Sequence, residues 1–287
     1  MFGRLGLSRI RERFDAEMPE ALAAQAREAA KGPSGPAWEA WDVPPPEDSE
    51  RFTRAAAEAL VVACGVKEGE RVLDWGCGQG EVALAAARLG AEVTAVDFAA
   101  GPLERAWDLA EEEHLEVEWL EQDGLDLLLG NSWFDRSLSG FGVIWSSDVP
   151  AAVRELFRVT RPGGTVGFTT WSTRGFMGDV LRVVREHDLL PPGSSPAAWG
   201  WDEGLRQDFA PYASTIAVET RNLELRLSDD DALWDLVAQT AAPGARGLAE
   251  LPTEDRERVE GEIRALVHDS GAVTARFLEV VAEVPAV

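Results

Sequence analysis

Hydrophobic positions in the middle of the chain alternate between two periods. Short apolar runs, typical of buried strands, are separated by segments whose apolar residues recur every three or four positions, as in amphipathic helices. The strand-like runs are RVLDW (71–75), AEVTAVD (91–97), LEVEWLEQD (115–123), FDRSLSG (134–140) and GTVGFTTW (164–171). Helices are expected between them, over residues 80–90, 102–113 and 148–160. This alternation predicts a parallel sheet with helices on both faces, whose strand carboxyl ends share one edge.

The regular alternation ends after Trp171. A helix over 176–188, a Pro/Gly/Ser-rich segment and a short helical segment ending near Phe209 come next. The remaining pattern predicts two short strands (STIAVET and NLELRLS), helices near 230–241 and 252–267, and a last strand, AVTARFLEVVAEV. Insertions near strand ends often carry substrate-binding elements, so residues 172–212 and 229–268 are predicted to be cap insertions.

The first fifty residues look separate from this pattern. A predicted helix over 8–31 is followed by a Pro/Gly-rich connector, 32–50, and a second helix is predicted over 51–64. We therefore expect an N-terminal helical extension or lid (1–50) and a main domain over 51–287.

The segment VLDWGCGQG (72–80) joins the first strand to the first helix of the alternation. A phosphate loop of the Walker type needs Lys-Ser/Thr after its last glycine, and Glu81 and Val82 stand there instead. A dinucleotide fingerprint needs G-x-G-x-x-G, whereas the spacing here is G-x-G-x-G. Asp74, just before the loop, would repel a pyrophosphate. It would accept hydrogen bonds from a cationic amine or from the amides of the loop itself.

Two further acids end the next two strands. Asp97 closes AEVTAVD, a position suited to binding ribose hydroxyls, and Asp123 closes LEVEWLEQD, where it is expected to accept from the exocyclic amine of adenine. Three acids on adjacent strand ends favour a nucleoside with a positively charged tail. S-adenosylmethionine (SAM) combines adenine, ribose, a sulfonium and an ammonium.

Five motifs in order resemble those of class I SAM-dependent methyltransferases: LDWGCGQG, AVDFAAGPLERA, EQDGLDLLL, FDRSLSGFGVIW and RPGGTVGFTTW. They look most like the small-molecule branch that includes ubiquinone/menaquinone-type enzymes. The resemblance covers residues 71–171, and RFLEVVAEV resembles the branch's final antiparallel strand. It implies an α/β, Rossmann-like, seven-stranded and mostly parallel sheet with helices on both faces and an antiparallel C-terminal strand. It also implies SAM as cofactor and S-adenosylhomocysteine as product.

The resemblance also implies roles for individual residues. Gly76, Cys77 and Gly78 would line the methionine part, and Phe98 would lie against adenine. Asp123 and Gly124 would border the adenine edge, and Ser139 and Gly140 would pass beneath the sulfonium. Trp75 departs from the pattern, because a small or β-branched residue is usual there, and its large ring must find room.

No catalytic residue is evident from the sequence. Methyl transfer depends mainly on holding the nucleophile in line and excluding water, and a general base is optional for acidic acceptors. His187 and His268 are weak candidates for such a base; a surface or packing role is the alternative for each. No His/Cys/Asp/Glu cluster has zinc-ligand spacing, so no metal is expected.

Tryptophan is abundant, with 11 residues against one tyrosine. Flat apolar walls for a planar or greasy acceptor are expected from five of them: Trp38, Trp41, Trp145, Trp171 and Trp199. The alternative is that they fill the core. The favoured interpretation is a methyltransferase that acts on a small, largely apolar molecule, with secondary metabolism as a possible setting.

Composition limits the partners. The net charge of −24 argues against a nucleic-acid surface, because phosphate binding needs clustered Lys and Arg. No stretch is long and apolar enough for a membrane helix, and the start is too charged for a signal peptide, so a cytoplasmic monomer or homodimer with a small-molecule substrate is expected. Alternatives are a SAM-fold enzyme that catalyses cyclisation or decarboxylation, a SAM-binding regulator and, more distantly, an NAD(P) dehydrogenase.

Overall fold

The computed structural model describes residues 52–190, 196–267 and 272–286. The strands are β1 Arg71–Trp75, β2 Glu92–Asp97, β3 Val117–Glu121, β4 Phe134–Gly140, β5 Thr160–Trp171, β6 Thr215–Arg226 and β7 Ala272–Glu283. The helices are α1 Arg54–Ala63, α2 Glu81–Arg88, α3 Ala100–Glu112, α4 Val149–Val159, α5 Phe176–Glu186, α6 Pro196–Trp199, α7 Asp202–Phe209, α8 Asp230–Thr240, α9 Ala242–Glu250 and α10 Thr253–Arg264. A short 3-10 turn, Val143–Trp145, follows β4.

All seven strands form one sheet in the order β3-β2-β1-β4-β5-β7-β6. Strands β1 to β5 pair in parallel, and β7 lies antiparallel between β5 and β6. The predicted fold class, a Rossmann-like sheet with an antiparallel C-terminal strand, is confirmed. The carboxyl ends of β1, β2, β3 and β4 consequently meet at one edge.

The sheet separates two hydrophobic clusters, because alternate side chains of a strand point to opposite faces. Val72 of β1 belongs to the cluster that contains Leu60 of α1 and Leu103 of α3. Leu73, the next residue, belongs to the cluster that contains Leu156 of α4. Helices thus cover both faces, and the strands remain buried.

Two elements differ from the sequence pattern. The runs STIAVET and NLELRLS form one continuous strand, β6, because Arg221 and Asn222 at its centre are exposed on the sheet edge and do not interrupt pairing with β7. The segment APGARGLAE forms helix α9, although its proline and glycines disfavour a helix; the proline stands in the first turn, where it is tolerated. Helices α5 to α7 lie within 172–212, and α8 to α10 within 229–268.

Candidate cofactor and acceptor site

The glycine loop, residues 76–80, connects β1 to α2 at the carboxyl edge of the sheet. Gly76, Gly78 and Gly80 all have positive φ values, 65°, 53° and 81°. Such a backbone is strained for other residues, so the alternate glycines let the loop turn sharply at the strand end. The Cys77 amide donates to the carbonyl of Val96 at 3.0 Å, which ties the loop to β2. Burial raises the pKa of the Cys77 thiol well above its usual value, which favours a neutral thiol with a structural role.

Asp97 at the end of β2 fastens this loop. One carboxylate oxygen accepts from the Gly78 amide at 2.8 Å, and the other accepts from the Ala99 amide at 2.9 Å. Burial raises the pKa of Asp97, and these amide bonds oppose that rise. Because each carboxylate oxygen has two lone pairs, both retain capacity for a ligand hydroxyl.

Asp74 lies at the end of β1 and is 1% exposed. Its Oδ2 accepts from the Ala83 amide in the first turn of α2, at 2.9 Å. Its Oδ1 is buried and has no hydrogen-bond partner within the described part of the chain. Burial raises the pKa of Asp74 well above its usual value, and the nearby charges of Glu81 and Asp97 add to the rise. Oδ2 therefore binds an amide of helix α2 and not an amide of the glycine loop, which was one of the two sequence interpretations. Binding of a cationic amine, the other interpretation, stays a prediction for Oδ1.

A narrow cleft borders Asp74 and the glycine loop. It encloses about 220 Å³ of space continuous with solvent, and its walls include Thr53, Ala57, Cys77, Gly140 and Phe141. Asp74 thus lies on the wall of the cleft together with Cys77 of the glycine loop.

Trp75 reaches across the sheet edge to the segment after β3. Its indole Nε1 donates to the carbonyl of Gly124 at 2.7 Å. Its own carbonyl accepts from the Ser139 hydroxyl of β4 at 2.6 Å, and that hydroxyl accepts from the Val143 amide at 2.9 Å. The large ring finds its room over Gly124, which has no side chain. The Ser139 hydroxyl thus uses both its donor and an acceptor position for backbone groups.

The residues predicted to contact adenine, Phe98 and Asp123, follow the carboxyl ends of β2 and β3. Asp123 is half-buried after β3, and its Oδ1 accepts from the Leu125 amide at 2.9 Å. Phe98 is half-buried and immediately follows β2. The structure brings both residues to the strand edge that carries Asp97, and their contacts with a cofactor stay predictions.

Aromatic rings gather on the β4–β5 side of the cleft. Phe141 stacks on Trp171 with ring centroids 4.0 Å apart and meets Phe277 edge-on at 5.7 Å. The indole nitrogen of Trp171 is buried without a hydrogen-bond partner among the described residues. The sequence pattern does not predict Phe141 as a site residue, because its position on the cleft wall depends on a left-handed backbone (φ 60°) that has no local sequence signal.

The other aromatic and histidine candidates have different surroundings. Trp145 is half-buried in the 3-10 turn, whereas Trp199 is fully buried against Phe168 at a centroid distance of 5.5 Å, which favours packing. His187 ends α5, and its Nε2 lies 3.2 Å from a carboxylate oxygen of Glu262 in α10. This pair links two helices; a catalytic role for His187 stays a prediction. Three further candidates lie outside the described residues: Trp38, Trp41 and His268.

Residues 52–190, 196–267 and 272–286 contain no group of three His, Cys, Asp or Glu side chains placed to bind a metal ion. None of the helices in these ranges is long and apolar enough to cross a membrane.

Comparison with known sequences gives partial matches. Residues 72–164 match a family model described as a methyltransferase domain. An uncharacterized protein of Mycobacterium tuberculosis is 37% identical over 146 residues, 49% of this chain and 52% of that protein. A malonyl-[acyl-carrier protein] O-methyltransferase of Pectobacterium atrosepticum is 37% identical over 117 residues, 41% of this chain and 45% of the enzyme. The chain spans about half the length of these curated relatives.

Solved structures share the fold. The YcgJ protein of Bacillus subtilis superposes with a TM-score of 0.56 at 18% identity, over 81% of this chain and 100% of that one. The [4+2]-cyclase SpnF superposes with a TM-score of 0.53 at 20% identity, over 96% of this chain and 95% of the cyclase. Residues 72–164 are therefore similar to a methyltransferase domain, and the sheet order is that of a Rossmann-like methyltransferase fold, which supports S-adenosylmethionine as the cofactor.

Proposed function

We propose that the protein transfers a methyl group from SAM to a small aromatic or apolar acceptor. The observation that carries the proposal is the acidic lining of the strand edge: Asp97 holds the glycine loop, and Asp74 presents an unpaired carboxylate oxygen beside it. This lining suits a nucleoside with a cationic tail and disfavours a pyrophosphate.

The proposed cofactor residues divide by strand end. Asp97 would accept the ribose hydroxyls, with Phe98 against the adenine ring and Asp123 and Gly124 at its edge. The methionine part would lie along Gly76, Cys77 and Gly78, with its ammonium toward Asp74. Gly140 and the backbone of Ser139 would pass beneath the sulfonium, because the Ser139 hydroxyl is already bonded to Trp75 and Val143.

When bound, the cofactor supplies a methyl group on a positively charged sulfur. The chain's task is to hold the acceptor in line and exclude water, which accounts for much of the rate in such transfers. Phe141 lies on the cleft wall, and a planar acceptor would lie against it; Trp171, predicted to form such a wall, is buried and stacks behind Phe141. The cap insertions at 172–212 and 229–268, with the N-terminal extension 1–50 as a lid, are proposed to cover it.

Two measurements test this function. Calorimetry should detect binding of SAM and S-adenosylhomocysteine, and no binding of NADH. Methyl-labelled SAM incubated with the protein and extracts of its host should then label a small molecule. Failure to bind SAM would overturn the proposal as a whole.

The same assay separates the alternatives. SAM binding without label transfer, but with conversion of an unmethylated compound, would favour a cyclising or decarboxylating enzyme. Binding without any turnover would favour a regulatory protein that senses SAM.

A further inference from the structure

We propose that Trp75 is a positioning residue that couples the adenine-side segment after β3 to the turn after β4. The inference rests on the proposed function, since it assigns to Trp75 an effect on SAM affinity. The post-β4 turn is here residues 141–145, which contain Phe141 of the cleft wall.

On the adenine side, the contact is both polar and steric. The indole Nε1 donates to the Gly124 carbonyl at 2.7 Å. A Cβ atom added to Gly124 would lie 2.2 Å from Cε2 and 2.3 Å from Cζ2 of Trp75. The ring therefore occupies the volume that any side chain at position 124 would need.

On the acceptor side, Trp75 acts through its carbonyl. The β1–β4 ladder ends at the pair Asp74 and Leu138, so the Trp75 carbonyl lies beyond the register of regular strand pairing with β4. The Ser139 hydroxyl donates to it at 2.6 Å and accepts from the Val143 amide at 2.9 Å. One hydroxyl thereby holds the post-β4 turn against the end of β1.

A close backbone contact reinforces this link. A Cβ atom on Gly142 would lie 2.2 Å from the carbonyl oxygen of Gly76, so the post-β4 turn rests directly on the glycine loop. Trp75, which is 5% exposed, precedes that loop by one residue. A shift of its ring would move the Gly124 segment and the glycine loop together, and both border the proposed cofactor site.

The first test removes the indole hydrogen bond. Trp75→Phe keeps an aromatic ring and loses Nε1. We expect SAM to bind about three- to tenfold more weakly by calorimetry, because the Gly124 segment would no longer be held in its binding position. Trp234→Phe, on helix α8, is the matched control. It should leave SAM affinity unchanged whatever it does to the melting temperature.

The second test uses steric compensation. Gly124→Ala should weaken SAM binding about tenfold or more while Trp75 is present, because the new methyl group clashes with the ring. In a Trp75→Leu background the same substitution should change affinity less than about twofold, since the clashing atoms are gone. Purely structural roles at the two positions would give the same compensation in melting temperature but would leave SAM affinity unchanged in every variant.

A third variant guards against poor folding of the others. Ser139→Ala should also weaken SAM binding about three- to tenfold, because the Trp75 carbonyl and Val143 amide lose their shared partner. Wild-type affinity in both Trp75→Phe and Ser139→Ala, or additivity of Gly124→Ala with Trp75→Leu, would overturn the positioning role. If the wild-type protein itself fails to bind SAM, the proposed function falls instead.

Discussion

Two buried carboxylates at the ends of β1 and β2 hold the site by different means. Asp97 uses both oxygens to bind the backbone on either side of the strand end. Asp74 uses one oxygen for α2 and leaves the other without a partner in the described structure. Asp97 therefore shapes the loop, whereas Oδ1 of Asp74 is the oxygen that we propose meets a ligand's donor.

Replacing Asp97 should test its role in fastening the glycine loop. In Asp97→Asn one backbone amide would face an NH₂ group in place of an acceptor. We expect SAM affinity to fall roughly ten- to hundredfold and the free energy of unfolding to drop by about 1–3 kcal/mol. Calorimetry and chemical denaturation would measure the two effects, and unchanged affinity would contradict the assignment of Asp97 to the cofactor site.

The buried Asp74 predicts a pH dependence of stability. Because burial raises the pKa of Asp74 in the folded protein, the folded state holds this proton more tightly than the unfolded chain, whose Asp pKa is about 4. The stability it contributes is complete below about pH 4 and is lost as pH rises through the folded-state pKa.

Asp74→Asn removes that titration and keeps an oxygen to accept from Ala83. The melting temperature of the variant relative to wild type should therefore increase between pH 4.5 and pH 8 in ligand-free protein. Both proteins share the other titrating groups, so the wild-type melting temperature at the same pH is the control for the variant. A difference in melting temperature that stays constant with pH would show that Asp74 does not titrate in this way.

At the scale of elements, the post-β4 turn and the glycine loop form one contact surface. Gly142 and Gly76 touch through their backbones, and the Phe141 amide donates to Thr169 Oγ1 of β5 at 3.1 Å. The turn is thereby fixed between β1 and β5, and Phe141 is held in its left-handed conformation. The cleft wall depends on this arrangement.

Gly142→Ala should separate the two segments, because its methyl group would meet the Gly76 carbonyl oxygen. We expect a loss of about 1–3 kcal/mol in unfolding free energy and a marked loss of SAM affinity. Gly261→Ala, on α10 with open space around it, is the control and should leave SAM binding intact. Normal SAM binding by Gly142→Ala would mean that the turn is free to move without cost.

The sequence predicts these elements unevenly, for physical reasons. Strand β4 matches its predicted bounds, and the acids fall at the ends of β1 and β2, because buried runs and strand-end polar residues are local signals. The bond between Trp75 and Gly124 spans 49 positions, and the left-handed Phe141 depends on tertiary contacts. Neither feature can be predicted from the local pattern of hydrophobic residues. Ser139 lies on β4 as predicted, and its hydroxyl bonds to the backbone of Trp75 and Val143; its place beneath the sulfonium stays a prediction.

At the scale of the whole molecule, charge is the dominant feature. A net charge of −24 on 287 residues implies mutual repulsion across the surface. Salt shortens the range of this repulsion to about 8 Å at physiological ionic strength.

Stability should consequently rise with salt. Between 10 mM and 300 mM NaCl we expect the melting temperature to increase by roughly 2–5 °C as repulsion is screened. KCl at equal ionic strength should give the same shift, which separates screening from ion-specific binding. A decrease would mean that the surface ion pairs, such as Arg264 with Asp230, outweigh the net repulsion.

The position of β7 has a consequence for synthesis on the ribosome. Strand β6 pairs with β7, and β7 fills the space between β6 and β5, although it is made after both. Until residues 272–283 emerge, β5 presents an open edge and β6 has no place in the sheet. The nascent chain thus spends this interval with unpaired backbone at a hydrophobic edge, when a chaperone would be most useful.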